Sequence, residues 1–233
     1  MIANMPGDGF IMAVDGPSGA GKSTACRAVA LATDSKYLDT GAMYRVATLH
    51  VLRAGIDPAD EAAVVAATAE LPLQVNDDPR STEVILAGED VSAEIRGPEV
   101  TRAVSQVSSF PQVRSNLVDL QRSLVSQAHR CIVDGRDIGT TVLVDAPVKV
   151  FLTASAEVRA TRRYEQDLRA GRTADFDTVL ADVQRRDELD ANRSVSPLRP
   201  ASDAIVIDTS DLSFEQVVDR LMELAQASQE GAK

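Results

Sequence analysis

The run Gly16-Pro17-Ser18-Gly19-Ala20-Gly21-Lys22-Ser23 fits G-x-x-x-x-G-K-[ST] and constrains the fold more than any other feature of the chain. An apolar run, Phe10 to Val14, precedes it and a helical pattern opens at about Lys22, which places the glycines on a strand-to-helix turn. Glycines let the backbone wrap a phosphate with its N–H groups, and the helix N-terminus adds a favourable dipole. In such a loop Lys22, read as a solvent-facing side chain, reaches the β- and γ-phosphates of ATP, and Ser23 offers its hydroxyl to Mg²⁺. The candidate ATP cradle is Gly16, Pro17, Ser18, Gly19, Ala20, Gly21, Lys22, Ser23 and Thr24. No Asn-Lys-x-Asp marks guanine specificity, and the length falls short of a motor core. Small-molecule kinases remain, and a kinase must also hold an acceptor.

Beyond the loop, apolar runs alternate with helical patterns: Lys36 to Leu38, Arg130 to Val133, Val148 to Leu152 and Ala204 to Ile207 join Phe10 to Val14. Strands separated by helices predict a five-stranded parallel sheet flanked by helices, an α/β P-loop kinase. One segment breaks the rhythm. Leu73 to Val75 and Glu83 to Leu86 read as short β runs around Asn-Asp-Asp-Pro and predict a small antiparallel sheet inside an inserted subdomain. The expected layout is core over 9–61, insert over 62–100, core over 101–158, a short helical lid over 159–176 and core over 177–228, with a fraying tail from Gln226.

The net charge of −11 argues against a broad nucleic-acid surface, and no apolar run reaches the roughly 18 residues of a membrane span. Met1 to Gly9 shows no export leader, so a cytoplasmic protein is expected, and a monomer. Cys26 and Cys131 read as core thiols in a reducing compartment rather than metal ligands.

The acceptor candidates lie in three clusters. In Leu38-Asp39-Thr40-Gly41-Ala42-Met43-Tyr44-Arg45, Asp39 or Thr40 can cap a helix whose first turns carry Tyr44 and Arg45. Asp134-Gly135-Arg136-Asp137 stands at the carboxyl end of a strand, where ligands of open α/β sheets gather. Val179, Val183, Arg186, Asp190 and Arg193 follow at spacings of four, three, four and three, one helical stripe that begins apolar and turns charged; if the valines face the core, the charged turns border a cleft. Arg159, Arg162 and Arg163, ahead of a Gly171 turn, are placed to bring positive charge over a transferring phosphoryl group.

With these residues assembled, the chain resembles the bacterial cytidylate kinases of the nucleoside-monophosphate kinase family over about Phe10 to Leu224. The marks are DGPSGAGKST, LDTGAMYR, EVILAGEDVSAEIR, SQVSSFPQVR, DGRDIGT, DAPVKVFL and RDELDANR followed by SVSPL. The resemblance implies transfer of the γ-phosphoryl of Mg·ATP to CMP or dCMP. It implies that Ser105, Arg114 and Asp137 read the cytosine edge, Arg186 and Asp190 the ribose, and Arg45, Arg136 and Arg193 the acceptor phosphate. Thr40 and Tyr44 would line the same pocket. Lys22, Arg136, Arg162, Arg163 and Arg193 would act on the transferred phosphate. A kinase for UMP or another monophosphate, or an ATP-gated binding module, are the rival readings.

Overall fold

A computed structural model describes residues 9–230. The expectation about an N-terminal leader, and the last part of the expected fraying tail, 231–233, lie outside the described residues apart from Gly9.

Five parallel strands form the central sheet: β1 (Phe10–Asp15), β2 (Lys36–Asp39), β6 (Arg130–Asp134), β7 (Val148–Thr153) and β8 (Ile205–Asp208), in the order β2-β6-β1-β7-β8. All six residues of β1 are buried, because helices cover both faces of a parallel sheet. Side chains alternate between the two cores. Ile11 and Ala13 pack with α2 (Thr40–Arg53) and α5 (Pro111–Ser126), through Met43, Ala47, Val113 and Leu117. Phe10, Met12 and Val14 pack with α1 (Lys22–Ala32) and α8 (Phe214–Glu230), through Val29, Val217 and Leu221. Each fully buried side chain of this size contributes about 1.5–3 kcal/mol.

The strand order reverses around β1, so the crevice for a ligand opens beyond its carboxyl end. The glycine-rich loop leaves β1 there. Gly16 has φ 144°, and a Cβ on it would stand 1.9 Å from the carbonyl oxygen of Leu152 on β7, so no other residue fits.

The insert begins with α3 (Glu61–Thr68) and contains β3 (Leu73–Gln74), β4 (Ile85–Leu86) and β5 (Glu89–Asp90), one antiparallel strand more than the two β runs in the sequence. Ala87 and Gly88, at φ 51° and 83°, make the tight hairpin turn that creates β5. Leu86, Val91 and Ile95 pack on Ala42, Val46 and Leu49 of α2, which ties the insert to the helix carrying Arg45. After α4 (Pro98–Val107), α5 leads to β6. The helices α6 (Ala156–Arg169) and α7 (Phe176–Ala191) lie side by side between β7 and β8 in the chain. The tail expected to fray from Gln226 is instead helical through residue 230, since Ala225 continues the buried stripe of Val217 and Leu221.

Candidate active site

Lys22 opens α1 behind Gly21, whose φ of 89° turns the loop into the helix. The lysine does not face solvent as the sequence reading had it. It is 5% exposed, and its Nζ donates to the carbonyls of Gly16 and Pro17, both at 2.8 Å. Burial pushes its pKa down to about 7, and the Arg136 charge adds to this. Asp15 anchors the loop's base by accepting from the amides of Ile138 (2.7 Å) and Gly139 (2.8 Å), and burial raises its carboxyl to about 6.

Asp134, the last residue of β6, stands beside the loop with Ser23, and its carboxylate accepts from the Tyr37 hydroxyl at 2.7 Å. Burial and then the Asp39 charge raise its pKa, while Lys22, Ser23 and Tyr37 oppose them. The Ser23 hydroxyl and the Asp134 carboxylate are hard oxygen donors, the set that suits Mg²⁺. Sequence reasoning placed Asp134 in the acceptor cluster and gave it no part beside the metal. Its signal was present: a carboxylate closing the strand beside β1 stands where P-loop enzymes keep their metal-facing Asp.

On the acceptor side, Asp39 caps α2 by accepting from the Ala42 amide, and Arg45 follows in the second turn. Arg45 Nη1 donates to the Ile95 carbonyl (2.8 Å) and to Thr101 Oγ1 (3.0 Å), so the insert and α4 aim its guanidinium. Thr40 spends its hydroxyl proton on the Asp134 carbonyl at 2.7 Å. Arg136 donates from Nε to Asp190 Oδ2 at 3.2 Å, and Arg193 pairs with Asp190 Oδ1. Arg186 reaches Ser18 Oγ at 3.5 Å. Asp190 is thus shared by several arginines. Burial would raise its carboxyl, but Arg136, Arg193 and Arg186 override that and hold it below the usual range. The arginines bear the surplus charge. Burial, then the neighbouring Arg136 and Arg45, lower Arg186 to about 9; burial, then Arg163 and Arg136, lower Arg45 to about 10. Nε of Arg186 and of Arg193 are buried without a hydrogen-bond partner. Guanidiniums crowded at a cost, with donors unused, form a site for an anion.

Arg114 and Asp137 make a buried ion pair, 4% and 5% exposed at their side chains, and the Arg114 guanidinium lies 5.1 Å from the Tyr44 ring centroid. The brace of Asp137 therefore runs across the fold to α5. The loop residues Ser18 to Thr24, with Arg45, Ser105, Arg136, Arg162, Arg163 and Arg186, are brought to one cleft of about 1240 Å³. Thr40, Tyr44, Arg114, Asp137, Asp190 and Arg193 do not line it, nor does the start of the loop, Gly16 and Pro17.

The family model for cytidylate kinase matches residues 12–227. The chain belongs to the cytidylate kinase family. It is 67% identical to a cytidylate kinase of Corynebacterium glutamicum and 71% identical to one of Corynebacterium diphtheriae, each over 97% of this chain and 98% of the relative. Among solved structures, a shikimate kinase from Bacteroides thetaiotaomicron aligns with 93% of this chain and 98% of its own at TM-score 0.45 and 14% identity. As a cytidylate kinase family member the chain is a phosphotransferase of the nucleoside-monophosphate kinase type.

One part of this kinase, the stripe on α7, differs from the sequence reading. Val179 and Val183 do not enter the core; both are half-buried and line the cleft, and Arg193 lies past the helix, which ends at Ala191 with Asn192 as its cap. Val179, Val183 and Arg186 of the stripe border the cleft, where apolar residues are as useful as in a core, while Asp190 and Arg193 do not line it. The first residue of the expected lid over 159–176 is tied to α7 and to the phosphate loop. Arg159 is buried, pairs both its Nη atoms with Asp187 (2.9 and 2.6 Å) and donates to the Ser18 carbonyl at 3.3 Å. Arg162 donates to the carbonyl (2.7 Å) and hydroxyl (3.1 Å) of Thr209, and Arg163 pairs with Asp167 at 3.3 Å.

Proposed function

We propose that the chain transfers the γ-phosphoryl group of Mg·ATP to CMP, and to dCMP, giving CDP or dCDP and ADP. The observation that carries this is the group of half-buried arginines, Arg45, Arg136, Arg186 and Arg193, gathered beside the phosphate loop and outnumbering the Asp39, Asp137 and Asp190 carboxylates that face them. A monophosphate acceptor supplies the missing negative charge. It is already largely ionised at neutral pH, with a second pKa near about 6, so in-line attack on the γ-phosphorus needs no strong general base.

On this reading the backbone from Gly16 to Gly21 holds the donor phosphates, and Lys22 leaves its carbonyl partners to meet the transferring group. Arg162 and Arg163, together with Arg136 and Arg193, stabilise charge there. Ser23 and Asp134 would hold Mg²⁺, which when bound would neutralise charge on the donor phosphates. Arg45, Arg136 and Arg193 orient the acceptor phosphate, Arg186 and Asp190 meet the ribose, and Ser105, Arg114 and Asp137 read the base, with Thr40 and Tyr44 shaping the pocket. Cytosine offers an amino group to the carboxylate of Asp137, whereas uracil sets a carbonyl against it. A cytoplasmic monomer that binds small molecules rather than nucleic acid completes the proposal.

Coupled ADP release with CMP, dCMP, UMP and AMP is the test. Turnover with CMP and dCMP far above the other two is expected. Equal turnover with UMP removes the base assignment, and ATP binding without turnover of any acceptor removes the kinase reading.

A further inference from the structure

Tyr37 is outside every role assigned above, yet its surroundings fix it closely. It lies on β2, 1% exposed, and its hydroxyl donates to Asp134 Oδ2 at 2.7 Å. The Arg27 guanidinium covers the ring, 4.4 Å from its centroid, and Arg27 also donates to the carbonyls of Ser81 and, at 3.3 Å, Pro79 in the insert. The Tyr37 amide donates to the Asp77 carbonyl at 2.9 Å. Ring and backbone are therefore both clamped, and the hydroxyl is left on the carboxylate.

That carboxylate lines the cleft together with Ser23. A buried carboxylate that serves a cation has to be kept from turning about its last bond, and a partner on one oxygen does this while leaving the other lone pairs available. A phenol suits the task, because it stays a protonated donor well above neutral pH. We propose that Tyr37 is a positioning residue, which holds the carboxylate of Asp134 in the orientation that serves the metal of the donor nucleotide. The proposal rests on the Mg²⁺ reading above. A tyrosine that merely fills the core beneath α1 would contribute through its ring, and its oxygen would have no effect on metal affinity.

Tyr37→Phe separates the two, since it keeps the ring and deletes only the oxygen. Mn²⁺ is titrated into protein saturated with ADP, and free ion is read by electron paramagnetic resonance. The expected result is Mn²⁺ affinity weakened roughly ten-fold in the variant, with CMP affinity, measured by calorimetry, unchanged. Equal Mn²⁺ affinity in variant and parent overturns the proposal, whatever happens to turnover. Equal losses of Mn²⁺ and CMP affinity also overturn it, because they report a general loosening. Should the parent protein with ADP bind Mn²⁺ no better than ADP does in solution, the metal reading itself fails and this proposal with it.

Discussion

At the scale of single residues, the buried ion pair and the buried lysine make separate, checkable claims. Asp137→Ala leaves Arg114 charged and alone in the interior, which costs about 3–5 kcal/mol of stability. The kinetic readout must survive that loss, and a ratio does, because the folded fraction cancels. If Asp137 reads cytosine, its removal shrinks the CMP-to-UMP ratio of kcat/KM by roughly ten-fold to a hundred-fold, the worth of about 1–3 kcal/mol of base discrimination. An unchanged ratio would make the residue a brace for Arg114 and no more. Lys22→Met is expected to lower kcat by orders of magnitude, and unchanged kcat in a folded variant removes Lys22 from the reaction. Its effect on stability has a definite sign. A lysine with a folded pKa of about 7, below its unfolded value, carries the full burial cost while protonated, below pH 7. Above that the folded state sheds its proton first, so the parent gains stability relative to Met as pH rises from 7 towards the unfolded value near about 10.4. Melting curves of both proteins at pH 6 and pH 9 check this; the gap should favour Met more at pH 6.

At the scale of elements, the strands were legible because buried parallel strands are rich in apolar residues: Phe10 to Val14 is unbroken and wholly buried, and Val148 to Leu152 is interrupted only by Lys149. The cradle was legible because its chemistry is local, eight consecutive residues. What stayed hidden depends on partners far apart in sequence. Tyr37 and Asp134 meet across 97 positions, and Arg159 and Asp187 across 28. The valines of α7 were misread because helical spacing reports which residues share a face and not whether that face meets a core or a cleft. The third strand of the insert is a two-residue Glu89-Asp90 pair with no apolar content, created by a turn rather than by its own composition. The Arg159–Asp187 link yields an element-scale prediction. It joins α6 to α7 and, through the Ser18 carbonyl, to the phosphate loop, so closure over ATP should pivot beyond it, around the Gly171 turn. Arg159→Ala should then speed amide hydrogen exchange in α7 about ten-fold for every 1.4 kcal/mol lost, while exchange in β6 stays as in the parent. Equal acceleration in both elements would mean global destabilisation and no specific link.

At the scale of the whole molecule, a chain of net charge −11 gathers half-buried arginines in and beside one cleft. The acidic exterior gives no reason for it; the cost of crowding Arg45, Arg136, Arg186 and Arg193 is carried by the folded state until an anion arrives. Arg186 shows this most clearly, with its Nε unpartnered, a single 3.5 Å contact to Ser18 and a pKa lowered to about 9. A base whose folded pKa lies below its unfolded value destabilises the fold throughout neutral pH, and the penalty is relieved only as pH climbs past about 9. Replacing Arg186 with Met, which keeps much of the apolar stem, should therefore leave the melting temperature at pH 7.5 unchanged or higher. The same replacement should abolish the gain from ligand. For the parent, CMP at a hundred times its Kd adds about 2.7 kcal/mol, or roughly 5–10 °C for a domain of this size. Cytidine, which lacks the phosphate, should add little at the same concentration. If instead Arg186→Met melts many degrees lower while CMP still raises its melting temperature as in the parent, the arginine stabilises the fold. The crowding would then be incidental to the acceptor site.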